Sequence, residues 1–290
     1  MNATTPAGES HVEPCYLCGS AATRFFLQAN VHRLLQCGSC GLVYAQERHD
    51  GIGISADQAK FLREYLGEEK YFGEYFDRKL DLIECHSPPG TLMDFGCGAG
   101  LLLTRARARG WKVIGVEGSG PAAAHAKSSG LEVWEGAIES FSTDATFDVV
   151  TAFHTVEHFA DPIEFMKGAH RLLKPGGFVV LTTPDRHSVL GRLLGKRWFG
   201  YYNDEHVFFY DERSLRATLL KAGFADVIVT TETGRVLSPS YVFTRLFDYY
   251  YRHPGFLLGL VVKMKGLAAR LDFIRVREPG VNLVALGWKR

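Results

Sequence analysis

Four of the six cysteines fall into two copies of one pattern. Cys15-Tyr16-Leu17-Cys18-Gly19 and Cys37-Gly38-Ser39-Cys40-Gly41 both read CxxCG, with eighteen residues between Cys18 and Cys37. Two residues between cysteines let a tight turn aim both thiolates at one ion. A glycine after each second cysteine permits the backbone twist that turns amides toward the sulfurs. Two such turns supply four soft ligands in a tetrahedron, which suits a structural Zn²⁺ with no open position for chemistry. Four free thiols, two disulfides or an Fe²⁺ site are the alternatives. Cys85 and Cys97 stand alone, and neither is assigned a nucleophilic role.

A second constellation could hold a cofactor. Asp94-Phe95-Gly96-Cys97-Gly98-Ala99-Gly100 puts an acid before three alternate glycines, where backbone can approach a ligand closely. Glu117 follows 23 residues after Asp94, and a carboxylate there can accept both hydroxyl protons of a ribose. The spacing GxGxG, unlike GxGxxG, favours a small cofactor wrapped over the loop over a pyrophosphate on a helix N-terminus. A third group is Phe153-His154-Thr155-Val156-Glu157-His158, followed by Asp161-Pro162. If 154–158 form a helical turn, His154, Glu157 and His158 share a face. They could position an acceptor and take its proton, ligate a metal, or bond backbone at a strand end. His206, in the Trp- and Tyr-rich stretch Lys196–His206, is a second general-base candidate. Its aromatic neighbours could stack on a ring or sugar face, or form a self-held surface loop.

The elements that must position these groups follow from the pattern. TLMDF, KVIGVE, LEVW, FDVVTAF and FVVLTTP are short apolar strands alternating with helices near 99–109, 121–129 and 161–173. This rhythm predicts an α/β, doubly wound Rossmann-like sheet, with ligands beyond the carboxyl ends of its strands. A helix at 211–222, capped near Asp211, precedes the strand FADVIVT, and VNLVALGW is the last strand. The expected organisation is a four-cysteine unit at 11–45, a helical linker or lid at 58–88, and a cofactor-binding domain at 89–290. That domain carries insertions at 185–210 and 235–279. Residues 46–57 read as a linker.

From about 90 to 184 the sequence resembles class I S-adenosylmethionine-dependent methyltransferases. Asp94, Gly96, Gly98 and Gly100 match the family motif that holds the amino acid part of the cofactor, and Glu117 matches its ribose acid. The resemblance implies further cofactor contacts at Cys97, Gly118 and Phe153. Gly136-Ala137-Ile138 matches the step against adenine, with Ala137 where an Asp is common, so Ala137 and Ile138 would hold adenine through backbone and apolar contacts. Leu173-Lys174-Pro175-Gly176-Gly177 matches the turn into strand five. The FHTVEH…DP run is similar to ubiquinone-biosynthesis O-methyltransferases, in which an ExxEH step can bind a divalent cation such as Mg²⁺. Glu157 and His158 match that step, while His154 replaces its first Glu. The cysteine unit resembles a zinc ribbon. Sugar C-methylating enzymes have a similar start but a long extra C-terminal domain that is not matched here. The resemblance therefore implies O-methylation of a sugar, glycan precursor or natural-product hydroxyl.

Composition limits the partners. Hydrophobic residues make up 46% and charged residues 22%, which excludes a disordered chain. Lys+Arg is 33 against 32 for Asp+Glu, so the net charge is +1 and no global basic field draws the chain to nucleic acid. An RNA-modifying methyltransferase that clamps RNA with its ribbon is the rival reading, and the missing Asn/Asp-Pro-Pro-Tyr motif after strand four also speaks against it. A catalytically dead binding module on the same fold is a third. No apolar run approaches the roughly 20 residues of a membrane span, and the N-terminus lacks a signal-peptide pattern. A cytoplasmic protein is expected. Residues 241–271 carry five cations and one acid among apolar residues. They read as a helical cap, a homodimer contact or a peripheral lipid-facing surface.

Overall fold

A computed structural model describes residues 14–47, 58–67, 69–137, 140–232, 236–237, 276–277 and 281–290. Ile138, most of the 46–57 linker and nearly all of the 235–279 insertion lie outside them, so those expectations rest on sequence alone.

The chain opens with β1 (Thr23–Gln28) and β2 (Arg33–Cys37), an antiparallel pair with Thr23 opposite Cys37. This register brings both CxxCG turns to the same end of the hairpin. β3 (Val43–Ala45) pairs with β2. Two helices follow, α1 (Gln58–Gly67) and α2 (Glu69–Glu84). Phe76, Leu80 and Ile83 recur at helical spacing on α2 and are buried, so this stripe packs on the next layer. The Pro88-Pro89-Gly90 segment lies beyond the end of α2, as expected.

Strands and helices then alternate: β4 (Thr91–Phe95), α3 (Leu101–Ala108), β5 (Lys112–Glu117), α4 (Gly120–Ser128), β6 (Val133–Glu135), β7 (Phe147–Phe153), α5 (Pro162–Leu172), β8 (Leu173–Pro184) and α6 (Val189–Leu194). After them come β9 (Phe208–Phe209), α7 (Glu212–Lys221), β10 (Ala225–Glu232), the short pair β11 (Val236–Leu237) and β12 (Val276–Arg277), and β13 (Asn282–Trp288). Local chemistry sets the helix starts. Asp161 accepts from the Glu164 N–H ahead of Pro162, and Asp211 with Ser214 forms a reciprocal capping box.

Seven strands form one sheet in the order β10-β13-β8-β7-β4-β5-β6. The α/β Rossmann-like expectation holds. β4 through β8 are parallel, but β13 inserts antiparallel between β8 and β10. Strand–helix alternation does not encode that reversal, because an antiparallel strand needs no crossover helix. Neighbouring residues feed opposite faces: Met93, Val150 and Val179 enter one buried cluster, Leu92, Val149 and Val180 the other. The chain runs from β4 outward to β6, then restarts at β7 on the other side of β4. The order therefore reverses between β4 and β7, whose carboxyl ends carry Asp94 and His154. No described helix is long and apolar enough to cross a membrane.

A second sheet has the order β1-β2-β3-β9. Its last strand comes from the 185–210 insertion, so the N-terminal hairpin and the large domain share one hydrogen-bonded sheet.

Candidate active site

The first half of the candidate site is built where β4 ends. Gly96, Gly98 and Gly100 all have positive φ, which places the loop in a conformation that side-chain-bearing residues rarely adopt. A Cβ added at Gly98 would meet nothing within 4 Å, so that stretch of backbone faces open space a ligand can enter. Glu117, at the end of β5, ties the loop down. Its Oε2 accepts from the Gly98 N–H at 2.7 Å and its Oε1 from the Ser119 N–H at 2.7 Å. The carboxylate keeps acceptor capacity beyond its backbone bonds, which fits a ribose hydroxyl. Burial raises the Glu117 pKa, against the three backbone N–H bonds that lower it.

Asp94 is buried and accepts from the Thr151 hydroxyl at 2.6 Å. Burial pushes its carboxyl up to about 7; the Thr151 bond opposes this and the Glu117 charge adds to it. No ion pair to Asp94 occurs among the described residues. A buried carboxyl so poised fits a cationic ligand group such as an ammonium. Cys97 contributes backbone only: its thiol packs beside Gly115, and burial pushes its pKa up, so no thiolate nucleophile arises there. Gly118 and Phe153 are half-buried on the same rim, and Phe153 packs against Tyr75 and Phe76 of α2. Ala137 is exposed on the turn after β6.

The second half of the candidate site begins one residue past β7. His154 has φ +51, a costly conformation for a residue with a side chain. Thr155 sends its hydroxyl to the Phe95 carbonyl at 3.2 Å, locking this turn against the glycine loop. Val156–His158 then form a single 3-10 turn rather than the α-helical turn that the spacing suggested. Glu157 is 0% exposed. His154 Nδ1 lies 3.6 Å from its Oε1 and His206 Nε2 4.0 Å. Glu157, His158 and His206 offer ligand atoms that all lie within 4.8 Å of one another. The insertion and the β7 turn therefore converge.

Electrostatics follow from this crowding. Burial alone would raise the Glu157 pKa, but the close His154 imidazole, with His158 and His206 around it, outweighs burial and holds the carboxyl at about 2. His206 is pushed down to about 3 by burial first, then by the His158 charge, with Glu157 opposing. A carboxylate thus faces a neutral His206 imidazole. His206 Nε2 already meets Asn203 Nδ2 at 2.9 Å, which uses its acceptor position. His158 Nδ1 meets the Glu205 carbonyl at 2.9 Å, so Nδ1 carries the proton and Nε2 is left as the acceptor. Neither Glu157 oxygen has a regular hydrogen-bond partner, nor has His154 Nε2.

Two aromatics of the insertion, Trp198 and Tyr201, do not line an open face. Trp198 and Tyr201 are 1% and 4% exposed, stacked edge-on at 5.0 Å, and belong to the core. Of the two alternatives for this stretch, Trp198 and Tyr201 follow the self-packed one, because hydrophobic burial claims the rings first. Sequence reasoning also missed two residues. Thr151 is a polar residue in the apolar strand FDVVTAF, and Asn203 stands three residues before His206; both are visible as anomalies in the sequence.

At the N-terminus, Cys15, Cys18, Cys37 and Cys40 place their sulfurs within 4.8 Å of one another. The Cys15–Cys40 and Cys18–Cys37 separations are both 3.5 Å. Zn–S bonds of about 2.3 Å in a tetrahedron would set sulfurs about 3.8 Å apart, so the donor set fits that ion. Gly19 and Gly41 have φ +71 and +80, the twist expected after each second cysteine. The Ser39 and Cys40 amides point at Cys37 Sγ, at 3.3 and 3.4 Å.

The family model described as "Methyltransferase domain" matches residues 68–229, from α2 into β10. The chain belongs to the methyltransferase-domain family. Its sequence relatives include a ubiquinone biosynthesis O-methyltransferase of Ruegeria pomeroyi, 38% identical over 37% of this chain and 48% of the relative. Another, from Bradyrhizobium diazoefficiens, is 31% identical over 57% of this chain and 68% of the relative. The chain thus spans about half the length of the first of these curated relatives. The fold is similar to that of an S-adenosylmethionine-dependent methyltransferase from Thermotoga maritima, with TM-score 0.55 and 24% identity over 81% of this chain and 98% of that one. The methyltransferase-domain match covers the cofactor cradle, the 154–158 turn and His206, and stops short of the four cysteines.

Proposed function

We propose that this protein transfers the methyl group of S-adenosylmethionine to a hydroxyl of a small-molecule acceptor. The class of acceptor is a sugar, glycan precursor or natural product. The observation that carries the reading is the Glu157 and histidine cluster just past β7, which the Thr155 hydroxyl ties to the Phe95 carbonyl at the start of the glycine loop. Bound S-adenosylmethionine would supply an electrophilic sulfonium methyl. Glu117 and the loop amides would hold its ribose side, and Asp94 its ammonium. The protein's remaining task is to hold the acceptor oxygen close to and in line with the methyl, and to take its proton. His158 Nε2 is the acceptor for that proton, its Nδ1–H being fixed by Glu205. Glu157 stabilises the imidazolium that forms, and Asn203 keeps His206 neutral and in place. The O-methyltransferase names of the sequence relatives support oxygen over carbon or nitrogen.

Zinc held by the four cysteines is part of this reading, with a structural role. A second reading of the acceptor side, a divalent cation at Glu157, His158 and His206, is favoured by the two buried carboxylate oxygens that lack regular partners. One carboxylate and two imidazoles suit Zn²⁺, Fe²⁺ or Mn²⁺ better than Mg²⁺, which prefers oxygen donors.

Methyl transfer from labelled S-adenosylmethionine to a panel of hydroxylated sugars, nucleotide sugars and phenols tests the proposal. His158→Ala should lower turnover roughly 100-fold on any acceptor found, with cofactor affinity intact. Full turnover in that variant would remove His158 as the base.

A further inference from the structure

The four-cysteine unit is joined by hydrogen bonds to the segment that carries His206. Its strand β3 pairs with β9, setting Val43 opposite Phe209 and Tyr44 opposite Phe208. The Ala45 N–H donates to the Val207 carbonyl at 2.8 Å, and the Val207 N–H donates to the Glu157 carbonyl at 2.9 Å. A continuous backbone ladder therefore runs from the cysteine unit to the buried carboxylate. The β1–β2 turn grips the same segment from its other end. Asn30 Nδ2 donates to the Tyr202 carbonyl at 2.8 Å and to Asp204 Oδ1 at 2.9 Å, and His32 Nε2 donates to the Asp204 carbonyl at 2.8 Å. Arg186 closes the frame: its Nη2 donates to Gly41, beside the last cysteine, at 3.0 Å and to Asp211 at 2.8 Å.

The clamped segment, 202–209, carries the acceptor-side chemistry. It holds His206, the Asn203 side chain on His206, and the Glu205 carbonyl on His158. A short irregular stretch of this kind has little order of its own. Its geometry is supplied by partners, and those partners belong largely to the cysteine unit.

We propose that the four-cysteine unit is the platform of the acceptor site: Asn30 and His32 are positioning residues that fix 202–207 against Glu157 and His158. Loss of the metal or of these two contacts disables the acceptor side and leaves the cofactor cradle intact. The functional consequence rests on the reading of the Glu157 cluster as the acceptor side; the clamp itself does not.

Hydrogen exchange on the full-length zinc-loaded protein tests the clamp without any acceptor. Asn30→Ala/His32→Ala, at exposed and half-buried positions, should keep its zinc by elemental analysis. Amide protection in peptides covering 202–209 should fall at least tenfold. Protection of 91–100 should stay unchanged, and affinity for S-adenosylhomocysteine should stay within twofold. Asn30→Ala with His32→Gln, which restores one donor, should recover part of the protection. The wild-type chain stripped of zinc should show the same local loss, larger in extent. Unchanged exchange at 202–209 in both preparations would overturn the proposal, making the unit a passenger. Equal loss of protection in 91–100 would overturn it too, making the unit a general stabiliser. If the clamp is confirmed while His158→Ala keeps full turnover, the function reading fails and the clamp survives.

Discussion

Glu117 joins the end of β5 to the glycine loop by a 2.7 Å hydrogen bond from the Gly98 N–H to Oε2. The residue proposed to hold the ribose therefore also shapes the loop that holds the rest of the cofactor. Glu117→Ala removes both functions, and each charge-assisted bond is worth about 1.5–3 kcal/mol. Calorimetry with S-adenosylhomocysteine should show affinity falling at least tenfold. Glu117→Gln, which keeps one carbonyl oxygen, should fall less. An unchanged affinity in the alanine variant would move the ribose site elsewhere.

Asp94 gives cofactor binding a pH dependence of defined sign. In the free protein its carboxyl is pushed up to about 7 by burial. An ammonium bound beside it favours the ionised form, so binding expels a proton. Affinity should be full above about pH 7 and fall as pH drops below it, by up to tenfold per pH unit. Asp94→Asn should bind more weakly at pH 8 and lose this slope. Titrations at pH 8, 7 and 6 separate the cases; a slope that persists in the variant would assign the proton to another group.

Much of this arrangement was legible in the sequence. The CxxCG turns, the glycine loop with Glu117, and the strand–helix rhythm are local patterns, and each maps onto one element or turn. Glu157 and His206 were each named as candidates, but 49 residues separate them and neither segment names the other as partner. What stayed hidden is non-local. The pairing of β3 with β9 joins residues more than 160 positions apart, and nothing in VYA or FF names a partner. The burial of Trp198 and Tyr201 was equally unreadable, because an aromatic-rich loop looks the same whether its rings face a ligand or one another. The antiparallel insertion of β13 is set by pairing, which a strand's own composition does not carry.

His206 should make the fold sensitive to mild acid. Its folded pKa, lowered to about 3 from 6.5 chiefly by burial, lies below its unfolded value. The stability it contributes is present above about pH 6.5 and is lost as pH falls toward 3, at about 1.4 kcal/mol per pH unit. Asp94 has the opposite sign, its pKa being raised, and offsets the slope between about pH 4 and 7 in the wild type. The difference between wild type and His206→Gln cancels Asp94. That difference should shrink by about 1.4 kcal/mol per pH unit below about pH 6.5. Denaturant titrations at pH 7, 6 and 5 suffice, and they avoid the range below 4.5 where Glu157, held at about 2, begins to add its own acid loss. A constant difference would mean that His206 ionises in the folded protein.

The cysteine cluster separates metal loss from packing loss because its members differ in burial. Cys15 and Cys37 are buried, whereas Cys18 is exposed. Cys18→Ser therefore costs little apolar contact and mainly removes one of four ligands. Elemental analysis should find about one zinc per wild-type chain and far less in the variant. Three thiolates hold a metal much less well than four, and zinc binding couples directly to the order of so small a unit. The variant should unfold at lower temperature, and proteolysis should begin in residues 14–45. Affinity for S-adenosylhomocysteine should stay within about twofold, since the cysteine hairpin and the 94–117 segment belong to different sheets. Wild-type protein with no bound metal and full order at 14–45 would show that the four sulfurs are held together by the hairpin alone.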